Sequence, residues 1–440
     1  MNQRSTNISD TELDELIFVA TSDIAARTKG RSLRLAEFTS DTSLGWVPAN
    51  LGIGPLGHIV DDIPFGSHGD LRLLPDLESR TRIDGIPGQP PLTLIFANLV
   101  ETDGTPWSSC PRTFLRDAVK RLEEHGIQAK CAFEHEFVDL SAGGEHHPFS
   151  LHEFRKMEPL GSQLMTVLSR AGVEPETWLP EYGRHQFEVT YRPSDPVSAA
   201  DRAVLVRDIV YALFAAHDRS VSFAPIVAPG GSGNGVHVHV GLSDLDGNPL
   251  CYDADRPGRL SEFGAQFAAG IVKYAPEFTA MFAPLVTSYE RLRPHNWSTA
   301  RAFLGVQNRE ALIRVCPTNE INGKDPAPQL HFEFRGSDIG ANPWLLLGLL
   351  LRAGLRGIEE NLSPAMLVEG ELDVEGKHAG LPKLPESLEE ALERLSESET
   401  VREWLDPAFL ATFAAVKHDE AVFLKGRPLA EQCEVYTHVY

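Results

Sequence analysis

Three stretches of this chain leave little choice of backbone, because acidic or imidazole side chains recur at every second residue between apolar ones. They are Phe133-Glu134-His135-Glu136-Phe137, Val236-His237-Val238-His239-Val240 and His331-Phe332-Glu333-Phe334-Arg335. In an extended strand residues two apart project from one face. Each stretch therefore predicts a strand with one apolar and one functional face: Glu134 with Glu136, His237 with His239, and Glu333 between a histidine and an arginine. Taken singly, each reads more readily as a solvated strand face or a cross-strand ion pair of small energetic weight than as a site. The segment Glu181-Tyr-Gly-Arg-His-Gln-Phe-Glu188 places two more carboxylates around a glycine, and alone it reads as a polar hairpin. Their joint occurrence is what points to chemistry. Adjacent carboxylates repel unless a proton or cation lies between them, and three strands plus a turn offer six ligands for two hard divalent ions.

Two further features surround this pattern. Pro229-Gly-Gly-Ser-Gly-Asn-Gly235 leads directly into the histidine strand. It lacks the lysine and the following helix of a phosphate-binding loop, so close backbone approach to a ligand is its expected use, with a flexible hairpin connection as the alternative. Arg291, Arg293, Arg301, Arg309, Arg314 and Arg335 crowd into one region of an acidic chain. Arginines there suit bidentate recognition of phosphate and carboxylate.

Composition narrows the partners. Subtracting 62 Asp+Glu from 40 Lys+Arg leaves −22, so the surface repels nucleic acid and anionic membranes. The N-terminal residues lack the apolar core of a secretory signal, and the run from Trp344 to Leu351 is far shorter than the roughly 20 residues a bilayer requires. It reads as a buried helix. Cys110, Cys131, Cys251, Cys316 and Cys433 are odd in number and scattered, which fits a reducing, cytoplasmic setting. With 440 residues the chain is long enough for two units. Strand-like text from Leu16 to Phe38 around a Thr28-Lys29-Gly30 turn, and again at Leu92–Leu99, predicts a small β-rich domain over 1–105. Interleaved patterns follow over 106–440: a helix at Phe114–Glu124, strands at 130–139, 235–242 and 330–335, helices at 199–216 and 260–282, and a helical tail. The fold class is α+β.

These residues resemble the glutamine synthetase family. The resemblance rests on Phe-Glu-His-Glu-Phe (133–137), Glu-Tyr-Gly-x-x-Gln-Phe-Glu (181–188) and Gly-Asn-Gly-Val-His-Val-His (233–239). It extends through Ser-Tyr-Glu-Arg-Leu-x-Pro (288–294), Gln-Asn-Arg-Glu-Ala-Leu-Ile-Arg (307–314) and Phe-Glu-Phe-Arg-Gly-Ser-Asp-x-x-Ala-Asn-Pro (332–343). It implies an N-terminal β-grasp domain, a catalytic domain built on an antiparallel sheet flanked by helices, and a homo-oligomer of stacked rings. It also implies ATP as co-substrate, glutamate as acyl donor and two or more Mg²⁺ or Mn²⁺ ions per site. By this resemblance Glu136, Glu181 and Glu188 hold one ion, and Glu134, His237 and Glu333 the other. Arg291 takes the glutamate α-carboxylate, Arg309, Arg314 and Arg335 handle phosphates, Gly233 meets glutamate through its backbone, and His239 sits near the nucleotide.

One departure bears on the acceptor. Where ammonia-using members carry an acid after the Arg-Leu-x-Pro piece, this chain has Trp297, and Pro64-Phe-Gly-Ser-His-Gly69 stands where the family places an Asp-Gly-Ser element. Ammonium needs anionic partners, whereas an aromatic wall suits an organic amine. Glu290, Asp61 and Asp62 are nearby acids that could restore an ammonium site. The expected reaction is ligation of the glutamate γ-carboxylate to an organic amine through a γ-glutamyl phosphate. Alternatives are glutamine synthesis from ammonia, a guanidino phosphotransferase and a silent structural relative; the full set of candidate ligands and arginines argues against the last. No tyrosine occurs between Gly370 and Pro385, so tyrosine adenylylation there is not expected.

Overall fold

The computed structural model describes residues 13–293, 300–363 and 366–440. Two sheets organise them. The first takes β1 (Leu16–Ser22), β2 (Thr28–Arg34), β3 (Leu44–Trp46), β4 (Leu71–Pro75), β5 (Thr81–Ile83) and β6 (Leu92–Glu101) in the order β2-β1-β6-β4-β3, with β5 also on β6. Its central pair, β1 and β6, is parallel. The predicted Thr28-Lys29-Gly30 turn is instead the start of β2. The chain reverses earlier, where the Asp23 carboxylate accepts the Arg27 N–H at 2.8 Å and Ala26 takes a positive φ.

The second sheet runs β15-β12-β13-β14-β11-β7-β9-β8, with β10 on β7. The strands are β7 (Ile127–Asp139), β8 (Pro175–Pro180), β9 (Gln186–Tyr191), β10 (Val221–Ser222), β11 (Val236–Asp244), β12 (Leu304–Val306), β13 (Ile313–Val315), β14 (Phe332–Phe334) and β15 (Leu367–Glu369). From β8 to β13 every pairing is antiparallel, as expected; the β12 contacts with β13 and β15 at the far edge are parallel. Alternation divides its two faces. Phe133, Phe137, Val189, Val238, Phe332 and Phe334 point into the core. There helices Pro111–Glu124 and Pro196–Ala215 pack on β7, and Glu262–Tyr274 packs on β12 and β13.

Pro343–Glu359, which contains the apolar Trp344–Leu351 run, lies buried among those helices, and Asn342 caps it by accepting the N–H groups of Trp344 and Leu345. A buried Asp201 joins the helical layer, accepting from Trp344 Nε1 at 2.7 Å and from Arg112 at 2.8 Å. Arg112 also reaches Asp76 of the first sheet's loop at 2.9 Å, an ion pair with the arginine fully buried. The helix predicted over 260–282 is interrupted: Glu262–Tyr274 gives way to a 3₁₀ turn at Ala275–Phe278, where Pro276 has no N–H to continue the ladder.

Candidate active site

Strand register places acids, imidazoles and guanidinium groups together on the sheet's other face. Glu134 is opposite His237, Glu136 opposite Glu188, and Glu333 lies between His239 on one side and Arg314 on the other. All of these except His239 wall a cavity of about 830 Å³ that also takes in Glu181, Gly233, Arg291, Arg309 and Arg335. Distances within it are short: His237 Nδ1 lies 3.2 Å from Glu134 Oε2 and 3.6 Å from Glu333 Oε1. His239 stands behind this wall, its Nε2 3.0 Å from Glu134 Oε1. Donor atoms that converge closely enough to share an ion are Glu134, Glu188 and His237 in one group, and Glu134, His239 and Glu333 in another. Glu134 is common to both groups, and His239 stands beside the expected ligands.

The carboxylates do not share one electrostatic environment. Burial and the charges of Glu134, Glu136, Glu181 and Glu333 push the Glu188 carboxyl up to about 10. Burial likewise raises Glu136 to about 7 although the Gly235 N–H donates to it at 2.7 Å. Burial raises Glu181 as well. Burial also opposes ionisation of Glu134, yet His239 and His237 hold its carboxyl well below the usual range. Glu333 is drawn down to about 2 against burial by Arg335 and His237; Arg335 pairs with it directly and Arg314 Nη1 donates to it at 2.8 Å. The donor set is rich in oxygen and short of positive charge around Glu136, Glu181 and Glu188, which suits hard divalent cations.

The arginines divide. Arg291, Arg309, Arg314 and Arg335 line the cavity, whereas Arg293 and Arg301 line a separate cleft of about 440 Å³. Arg291 is buried and donates to the carbonyls of Gly336 and Ser337 at 2.6 and 2.9 Å, while its Nε has no hydrogen-bond partner among the described residues. The glycine loop makes room for these groups. A Cβ on Gly233 would lie 2.5 Å from Arg291 Cγ, and one on Gly235 would lie 2.7 Å from His237 Nε2. The expected close approach is therefore to site side chains.

Gln186 carries a structural role that its sequence context did not disclose. Its amide donates to the Gly233 carbonyl and to Asn234 Oδ1, both at 2.8 Å, and accepts the Gly183 N–H at 2.8 Å, tying the Glu181 turn to the glycine loop. The Glu-Tyr-Gly-x-x-Gln-Phe-Glu motif singles the residue out, but local sequence gives no sign of a tie to a loop nearly fifty residues away. Phe149, Leu179 and Tyr182 add an apolar rim beside Glu181, with Phe149 and Tyr182 edge-to-face at 4.8 Å. Trp297 lies outside the described residues. Glu290, which pairs with Arg293, and Asp61 and Asp62 do not line the cavity.

A helix-backed sheet whose polar face gathers carboxylates, histidines and arginines around one cleft suits divalent ions together with phosphate and carboxylate groups, and comparison with known proteins gives it a family. Residues 108–436 match the glutamine synthetase catalytic domain and residues 1–107 match the glutamine synthetase N-terminal domain. The chain belongs to the glutamine synthetase family. Among its relatives, a gamma-glutamylpolyamine synthetase of Streptomyces coelicolor is 32% identical over 379 residues, 83% of this chain and 80% of that protein. A glutamate–isopropylamine ligase of a Pseudomonas species is 28% identical over 398 residues, 86% and 83% of the two chains. A solved structure described as a novel glutamine synthase homolog superposes with a TM-score of 0.91 at 41% identity, covering 100% of both chains.

Proposed function

We propose that this protein is an ATP-dependent glutamate–amine ligase that joins the γ-carboxylate of glutamate to an organic amine. The observation that carries the reading is the cavity's division: carboxylates short of counter-charge on the β7–β9 side face four arginines on the other. Glu136, Glu181 and Glu188 would hold one Mg²⁺ or Mn²⁺, and Glu134, His237 and Glu333 a second. When bound, such ions neutralise charge on the phosphates as the phosphoryl group moves. Arg291, with its unsatisfied Nε and no room for a Cβ at Gly233, is built to receive the glutamate α-carboxylate beside that glycine's backbone. Arg309, Arg314 and Arg335 face the transferring phosphoryl group, and His239 lies toward the nucleotide.

A carboxylate is a poor acylating agent because amine attack would have to expel an oxide. The γ-carboxylate oxygen therefore attacks the γ-phosphorus of ATP, releasing ADP and forming γ-glutamyl phosphate. The neutral amine then adds to the acyl carbon, loses a proton and expels phosphate. The rim of Phe149, Leu179 and Tyr182 gives the acceptor an apolar wall, and the aromatic residue that the sequence has in place of the family's acid, Trp297, favours an organic amine over ammonium. The relatives named for polyamine and isopropylamine substrates support an organic amine over ammonia.

The same reading divides the chain into a 1–105 N-terminal domain and a 106–440 catalytic domain, and has subunits assemble as stacked rings. It places the protein in the cytoplasm, in keeping with five buried, unbridged cysteines. Among the described residues no helix is long and apolar enough to cross a membrane. The test is phosphate release from ATP and glutamate across ammonium, monoamines, alkanolamines, polyamines and anilines. Turnover with an organic amine exceeding that with ammonium is expected; turnover with ammonium alone would make the protein a glutamine synthetase.

A further inference from the structure

A second cluster of donor atoms stands outside the cavity lining. Strand β11 supplies His239, the residue after β13 is Cys316, and the residue before β14 is His331. His331 Nε2 lies 3.0 Å from His239 Nδ1, and Cys316 Sγ lies 4.0 Å from the same nitrogen. One donor atom from each of the three lies within 4.8 Å of the others. Cys316 is buried and both histidines are partly so.

The surroundings define which atoms are free to bind. The Gln329 carbonyl lies 2.7 Å from His331 Nδ1; a carbonyl only accepts, so that nitrogen carries the proton and Nε2 turns a lone pair toward His239. His239 Nε2 faces the Glu134 carboxylate at 3.0 Å, so Nδ1 is the nitrogen turned toward His331 and Cys316. Two imidazole nitrogens 3.0 Å apart with a thiol beside them share either a proton or a metal ion. An imidazole that binds a metal through one nitrogen while the other is held by a carboxylate or a backbone carbonyl is the usual support of a metal site. Zn–N bonds of about 2.0–2.1 Å and Zn–S bonds of about 2.3 Å set tetrahedral ligand atoms roughly 3.3–3.6 Å apart, between the two separations seen here.

We propose that His239 Nδ1, Cys316 Sγ and His331 Nε2 form a site for a soft divalent transition metal such as Zn²⁺, distinct from the carboxylate sites and leaving one position open. Cys316 binds as the thiolate, releasing its proton to solvent. A sulfur–nitrogen set of this kind selects against Mg²⁺. Cys316 Sγ is also 3.9 Å from Glu333 Oε2, so an ion here sets its charge beside both Glu333 and Glu134. That coupling rests on the ligase reading; the site itself does not.

The experiment titrates the full chain, saturated with Mg²⁺, with Co²⁺ as the spectroscopic probe. One equivalent is expected to bind with a sulfur-to-cobalt charge-transfer band and tetrahedral d–d absorption, displaced by Zn²⁺. Cys316→Ser should abolish the charge-transfer band, and His331→Gln should weaken Zn²⁺ retention by about 100-fold or more. Absence of the band in the unsubstituted protein, or its persistence in folded Cys316→Ser, overturns the proposal. Amine-dependent phosphate release measured on the same samples tests the ligase reading separately.

Discussion

Glu134 and Glu188 lie within one ion's reach of each other, yet their carboxyls are driven in opposite directions. On the β11–β14 side each acid is matched by a cation or an imidazole: His237 and His239 for Glu134, Arg314 and Arg335 for Glu333. On the β7–β9 side register sets Glu136 against Glu188 with Glu181 close by, and burial raises all three. The first half carries its own counter-charge. The second must import one, as a proton or as a metal ion.

The sharpest way to break this comparison is to remove an acid from the paired half. Glu134→Ala or Glu333→Ala is expected to lower amine-dependent phosphate release by about 10³-fold or more, the several kcal/mol that metal charge neutralisation supplies, with the circular dichroism spectrum retained. Activity within tenfold of the unsubstituted protein would remove those residues from metal binding. Next in size, Gly233→Ala drives a methyl into Arg291 and should raise the KM for glutamate by about 10–100-fold, with a smaller effect on the KM for ATP. Gln186→Leu leaves the polar groups of the turn and the glycine loop unpaired. The cost of about 1–3 kcal/mol is expected as a loss of kcat/KM of about 5–160-fold.

The unpaired half predicts a pH dependence of stability. The Glu188 carboxyl sits near 10 in the fold against 4.5 in an unfolded chain, so between those values the metal-free folded state holds more protons than the unfolded one. Its contribution is complete below about pH 4.5 and is lost as pH rises toward about 10; Glu136, at about 7, acts with the same sign. Mg²⁺ replaces the missing proton and should raise Tm more at about pH 9 than at about pH 6. At a hundredfold excess over Kd the gain is about 2.7 kcal/mol, and Glu188→Gln should narrow the difference between the two pH values. The smallest expected effect is Trp297→Glu, a several-fold shift of acceptor preference toward ammonium read by competition between ammonium and an organic amine.

Much of the site was legible because strand alternation is strict. With Glu134–Glu136, His237–His239 and Glu333–Arg335 in extended segments, the face each side chain shares follows from a period of two. Helices were legible where apolar periodicity met a clear stop, as at Glu124 before Gly126, and less so where Pro276 breaks a continuous apolar run. The Asp23–Arg27 reversal was missed because its decisive contact is a side chain accepting from the backbone, with no glycine to mark it. Arg293 and Arg301 were grouped with the cavity arginines on proximity in sequence alone, and the fold turns them to another cleft.

The sequence by itself determined which residues share a face, the supply of acids, imidazoles and arginines, and the family to which the chain belongs. Pairing between distant strands was decided by the tertiary structure alone. It sets Glu188 against Glu136 rather than against an arginine, makes Gln186 the tie between two loops, and brings Cys316 to His239 and His331. The reason is physical: local periodicity fixes the direction of a side chain, whereas its ionisation and its neighbours depend on register, burial and charge contributed by segments up to two hundred residues away.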